Sequence, residues 1–161
     1  MLHIVLYQPE IPHNTGAAGR LCLATGARLH LIKPLGFSLE DKYLKRSGLD
    51  YWADVDVRVW DSWEDMRTAA ETESRFFFVE VQGTRSHWEA DFTSGKDLYL
   101  VFGPETRGVP PALMAENPDH VLRIPMLGTR SLNLATAVAI TLYEAVRQRG
   151  GLQTATQVSS E

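Results

Sequence analysis

Ile124-Pro-Met-Leu-Gly-Thr-Arg-Ser-Leu-Asn-Leu-Ala-Thr-Ala-Val-Ala-Ile-Thr-Leu-Tyr-Glu-Ala145 runs from the end of an apolar strand, through a polar glycine-containing loop, into a strongly periodic helix. Leu134, Ala135, Val138, Ala139, Leu142 and Val146 recur at helical spacing and define one apolar face. Upstream, Leu98-Tyr-Leu-Val-Phe-Gly-Pro-Glu-Thr-Arg-Gly-Val-Pro110 follows the same plan, an apolar strand and then a Gly/Pro loop carrying charge. Strands that alternate with helices specify an α/β domain with a mostly parallel sheet flanked by helices. Ligands of such sheets sit beyond the carboxyl ends of the strands, where both loops fall. Two polar loops of this kind predict one small-molecule site built from both.

Outward from these stretches the pattern continues. Strands are expected over residues 3–7, 29–32, 55–60, 76–81 and 121–124, with 76–81 and 98–102 central because they are almost uninterruptedly apolar. Helices are expected over 14–24 with Asn14 as N-cap and Gly26 as stop, 40–46, 62–71 with Ser62 as cap, 110–115 and 132–148. Residues 82–96 read as turns. The length suits one domain, residues 1–149, with 150–161 expected to be a flexible tail.

Composition narrows the function classes. A formal net charge of −4 argues against non-specific coating of nucleic acid. Residues 20–46 nevertheless hold Arg20, Arg28, Lys33, Lys42, Lys45 and Arg46 against Glu40 and Asp41, a basic segment suited either to a selective polyanion contact or to a solvated flank. The single cysteine, Cys22, rules out an internal disulfide and a cysteine-rich zinc site, and its helical context predicts a buried apolar role. The apolar residues 2–7 are too few for a membrane span, so no membrane partner and a cytoplasmic location are expected. Walker A, Gly-x-Gly-x-x-Gly and His-Glu-x-x-His patterns are absent, and the five histidines lack metal-ligand spacing, so no metal is expected.

Three segments taken in order carry a more specific signal: Asn14-Thr-Gly-Ala-Ala-Gly-Arg-Leu21, Phe102-Gly-Pro-Glu-Thr-Arg-Gly-Val-Pro110, and Ile124-Pro-Met with Ser131-Leu-Asn-Leu134. Together they resemble the ordered motifs of the SPOUT class of RNA 2′-O-methyltransferases. Leu6-Tyr-Gln-Pro-Glu-Ile-Pro12 and Gly48-Leu-Asp-Tyr51 make the chain most similar to the TrmL (YibK-type) tRNA (cytidine/uridine-34) branch, over residues 1–149.

The resemblance implies S-adenosylmethionine as methyl donor, S-adenosylhomocysteine as product, tRNA as substrate, a homodimer and a C-terminal trefoil knot. General topology rules would reject a knot. It assigns the donor to Val79, Gly103, Glu105, Ile124, Met126 and Ser131, with glycine at 103 letting backbone approach the ligand. Arg20 matches the arginine of the first motif and would orient the ribose and stabilise charge developing on its 2′-oxygen, since arginine keeps its proton. Asn133 and Tyr143 match catalytic positions, against the alternatives of a helix-start hydrogen bond and a core-edge aromatic. RNA contacts are expected from Asn14, Lys33, Lys42, Arg46 and Arg107, the last able to grip phosphate or to pair with Glu105 or with an acidic group across the dimer. Ser131 is expected to cap the last helix by default. His13 departs from the uncharged residue usual before Asn14. The rival readings are a ribosomal RNA 2′-O-methyltransferase and a non-catalytic RNA-binding assembly factor.

Overall fold

A computed structural model of the chain describes residues 1–47 and 49–152; the side chains of residues 45–50 lie outside the described set. Among the described residues, seven strands form one sheet: β1 (Leu2–Tyr7), β2 (Arg28–Ile32), β3 (Val57–Trp60), β4 (Arg75–Val79), β5 (Arg85–Ser86), β6 (Leu98–Phe102) and β7 (Val121–Arg123). Their order is β3-β2-β1-β6-β4-β7-β5, and every pairing is parallel. The helices are α1 (Pro12–Thr25), α2 (Lys42–Ser47), α3 (Trp63–Ala69), α4 (Pro111–Ala115) and α5 (Leu134–Gln148).

Strand alternation sorts the core into two faces. Ile4, Leu6, Leu29, Leu31, Phe77, Leu100 and Phe102 pack with Ala18 and Cys22 of α1 and with Val138, Leu142, Ala145 and Val146 of α5. Val5, Phe76, Phe78, Tyr99 and Val101 point the other way, onto Trp63 and Met66 of α3 and Met114 of α4. β6 is buried at every position, as its unbroken apolar sequence requires for a central strand. Burial pushes the Cys22 thiol up to about 12, so it stays a neutral apolar group, as its context predicted.

Several local expectations are corrected. α1 begins at Pro12 with Ile11 as N-cap, not at Asn14. Proline fits that first turn because its missing N–H would be unpaired there anyway, and Asn14 becomes a buried helical residue. The strand expected over 76–81 ends at Val79, since the Glu80 carboxylate turns to accept from the Val109 N–H. That expected over 55–60 starts at Val57, behind a 3₁₀ segment, Leu49–Asp54. The turn-rich residues 82–96 contain the two-residue β5.

On α5 the buried stripe is Val138, Thr141, Leu142, Ala145 and Val146, with Ala135 and Ala139 only half-buried. Thr141 takes a core position because its hydroxyl donates to the Ala137 carbonyl at 2.9 Å. Ser62 caps α3 as expected, accepting from the Asp65 N–H. Residues 153–161 of the expected tail, and Gly48, lie outside the described residues.

Candidate active site

Past the carboxyl ends of β4, β6 and β7, three loops converge on a cavity of about 520 Å³. Its lining includes Val79, Gly103, Glu105, Ile124, Met126 and Ser131, the six residues expected at a methyl donor, together with Asn14, Arg107 and Asn133. All three sequence motifs therefore reach one concavity, of a size usual for small-molecule sites.

A chain of polar contacts joins the motifs. Asn133 Oδ1 accepts from the Thr136 N–H at 3.2 Å, capping α5, and its Nδ2 donates to Asn14 Oδ1 at 3.0 Å. Asn14 Nδ2 in turn faces Glu105 Oε1 at 3.5 Å. The Glu105 carboxylate also accepts from the backbone N–H groups of Glu10, at 2.8 Å, and Ile11, at 3.3 Å. It thus satisfies the N–H groups of the two residues that lead into α1 and sets a negative charge at the helix start. The loops reciprocate: the Thr106 N–H and hydroxyl donate to the Glu10 carboxylate at 3.0 and 2.7 Å. These bonds hold the Glu10 carboxyl below its ordinary range.

Gly103 lines the cavity and has a reason of its own within the loop. A Cβ there would lie 2.2 Å from the backbone of Gly108 and Val109, so the absent side chain lets the loop close on itself. Asn133, not Ser131, caps α5, because the helix begins at Leu134. Arg107 does not pair with Glu105; its Nη2 donates to Gln8 Oε1 at 3.2 Å.

Other expected residues stand apart from the cavity. Arg20 lies six residues beyond Asn14, about 120° away around the helix. It is exposed, with its guanidinium 5.2 Å from the centroid of the Tyr51 ring. Tyr143 is likewise exposed on α5 and absent from the lining. Lys33 pairs with Asp61 at 3.2 Å, and Lys42 lies over the Tyr43 ring. The Arg46 side chain is outside the described residues. Arg28 is bound by Asp56 at 2.7 Å. The basic segment is thus partly neutralised by acids flanking β3, which the linear charge count could not show.

Glu80, Gln82, Thr106 and Leu134 also line the cavity but were not singled out as site residues from sequence. Glu80 had a usable signal, a lone acid closing an apolar parallel strand at its carboxyl end. Among the described residues no cluster of three or more His, Cys, Asp or Glu side chains could hold a metal ion. No described helix is long and apolar enough to cross a membrane.

The chain as a whole is similar to known proteins. The profile of the SpoU rRNA Methylase family matches residues 1–143. The tRNA (cytidine(34)-2′-O)-methyltransferase of Methylovorus glucosotrophus is 51% identical over 150 residues, which cover 92% of this chain and 96% of that protein. A structure solved for structural insights into the 2-OH methylation of C/U34 on tRNA superposes with a TM-score of 0.86 at 51% identity, covering 92% of this chain and 95% of that one. The SpoU methyltransferase AviRb from Streptomyces viridochromogenes, in complex with the cofactor AdoMet, gives a TM-score of 0.80 at 30% identity, over 94% of this chain and 59% of that one.

Proposed function

Since the chain belongs to the SpoU rRNA methylase family, we propose that it transfers a methyl group from S-adenosylmethionine to the ribose 2′-hydroxyl at position 34, the wobble nucleotide, of tRNA, as the names of its relatives state for them. The observation that carries the reading is the convergence of all three motifs on one cavity.

The lining fits the donor. Phe102, Leu134 and Ala137 offer apolar surface for an aromatic base, while Glu80 and Glu105 place acidic side chains where a cationic sulfonium and amino group would gain from them. S-adenosylmethionine, when bound, supplies an already activated methyl group and leaves as S-adenosylhomocysteine, so the chemistry itself calls for no metal. The protein's part is alignment of the 2′-oxygen and exclusion of water.

Arg20 belongs to this reading through a second subunit. On the exposed side of α1 it sits one turn from Leu23, itself exposed, and α5 presents Ile140 and Tyr143 at the same spacing. A homodimer that covers these apolar groups would bring Arg20, and with it Tyr143, towards a partner's cavity. A C-terminal trefoil knot and a cytoplasmic location go with the same proposal.

The test is methyl incorporation from labelled S-adenosylmethionine into total tRNA and ribosomal RNA, followed by mapping of the modified nucleotide. A 2′-O-methyl group at position 34 is expected. Incorporation confined to ribosomal RNA, or none, would overturn the proposal.

A further inference from the structure

Gln8 follows β1 directly and adopts φ 48°, the one non-glycine residue with positive φ among the described residues. Glycine or asparagine occupies this left-handed region at lower cost, so a glutamine there needs another justification. Its backbone N–H is anchored to the Ile32 carbonyl at 3.0 Å, and its side chain ends on Arg107 at 3.2 Å.

Arg107 stands at a boundary. It lines the large cavity and also a second, smaller one bounded by Tyr7, Gln8, Pro104, Val109 and Pro110. Pro104, Arg107 and Gly108 are common to both, so the 104–108 loop is a partition with a guanidinium on it. The hydrogen-bond partner that fixes this guanidinium is a neutral amide. An amide orients an arginine without pairing its charge, whereas a carboxylate in the same place would neutralise it; the Glu10 carboxylate, which feels the Arg107 charge, is itself engaged by the Thr106 N–H and hydroxyl.

We propose that Gln8 is a positioning residue that aims Arg107 at a backbone phosphate flanking the reacting ribose, and that the second cavity receives the nucleotide on that phosphate's far side. This assignment rests on the RNA methyl-transfer reading above. An anionic strand lying across the partition would put one sugar in the large cavity and its neighbour in the small one. Tyr7, Pro104 and Pro110 then form a largely apolar wall for the neighbouring base, and the Arg107 fork takes the linkage between them.

The experiment pairs Gln8→Glu with an anticodon stem-loop RNA carrying a neutral methylphosphonate at one linkage flanking position 34. Glutamate keeps the reach of Gln8 but ion-pairs Arg107. The variant is expected to bind the stem-loop about tenfold more weakly, with the salt dependence of binding reduced by about one phosphate contact, and to keep its affinity for S-adenosylhomocysteine. In the wild type the methylphosphonate at the contacted linkage should cost about the same tenfold, and combined with Gln8→Glu it should add nothing. Independent, additive losses at both flanking linkages, or a Gln8→Glu protein that binds like wild type, would overturn the assignment and leave the methyltransferase reading standing. A wild type that neither binds nor methylates the stem-loop would overturn that reading, and this one with it.

Discussion

Asn133 donates from its side-chain amide to Asn14 Oδ1 at 3.0 Å, joining the start of α5 to the buried first turn of α1 across 119 residues of sequence. The same side chain caps α5 through its other atom, so its two ends perform separable tasks. Asn133→Ser should retain the cap and lose the bridge, while Asn133→Ala should lose both, with a cap loss of about 1 kcal/mol. In a cycle with Asn14→Ala, urea titrations should show non-additive losses of about 0.5–1.5 kcal/mol. Strict additivity would mean the bridge carries no energy.

Glu105 should matter for architecture as much as for ligand binding. Glu105→Ala strips the acceptor from the Glu10 and Ile11 N–H groups and from Asn14. Hydrogen bonds to a charged group of this kind contribute on the order of 2 kcal/mol. We expect a lowered melting temperature together with weaker S-adenosylhomocysteine binding, measured by calorimetry on the same preparation. A stability unchanged from wild type would show that the α1 start finds water as a substitute.

Two glycines should respond in opposite measure. Gly103→Ala drives a Cβ to 2.2 Å from backbone that has no side chain to move aside, and should cost about 3 kcal/mol or more. Gly128→Ala, at φ 74° with nothing within 4 Å, should cost only the left-handed strain of about 1 kcal/mol. Thermal denaturation of the two variants side by side checks the contrast, and equal losses would contradict it.

The face of the sheet that packs on α3 contains a buried imidazole pair, on β1 and β2. Trp60 Nε1 donates to His30 Nδ1 at 2.9 Å, and His30 Nε2 meets His3 Nδ1 at 2.9 Å. Burial lowers His3 to about 4 and His30 to about 3 from an ordinary 6.5, so both are neutral in the folded chain at pH 7. The unfolded chain takes up these protons first. The stabilisation is therefore complete above about pH 6.5 and is lost as pH falls towards 4 and then 3, by on the order of 2 kcal/mol at pH 5 for one such histidine. Urea midpoints at pH 7, 6 and 5 should fall steadily, and less steeply in His3→Phe. A flat profile in the wild type would refute the buried-neutral assignment.

Arg20 and the cavity should complement each other between subunits. Arg20→Ala and a cavity-blocking Ser131→Trp should each abolish methylation, while the mixed dimer regains one working site in two. Failure to regain activity in purified mixed dimers would place Arg20 in its own chain's site or outside catalysis. Arg20→Lys with nearly full turnover would remove the need for a planar fork.

Much of the fold could be read from short-range pattern. Ser62 as a cap, the all-apolar 98–102 strand and the parallel order follow from rules that act over a few residues. What escaped the pattern depends on distant partners. The role of Asn14 changed because Pro12 starts the helix earlier and Asn133 lies across the sheet. Gly103 was legible as a necessary glycine, but the obstacle proved to be residues 108–109 of its own loop. The six residues expected at a methyl donor line one cavity, whereas Arg20 and Tyr143 are exposed outside it, because a motif fixes a residue's place on its helix and not what that helix face meets. Lys33 looked available to RNA until Asp61 on the neighbouring strand's end was seen to hold it.

The bonds that frame the cavity link residues 95, 96 and 119 positions apart. Closing loops of that length carries a large entropic cost before any contact repays it. A growing chain on the ribosome can lay down β1, α1 and β2 early, yet it has no complete pocket until residue 133 has emerged and reached Asn14. Competence to bind a ligand therefore reports that folding has finished, and truncated or stalled chains are silent by construction.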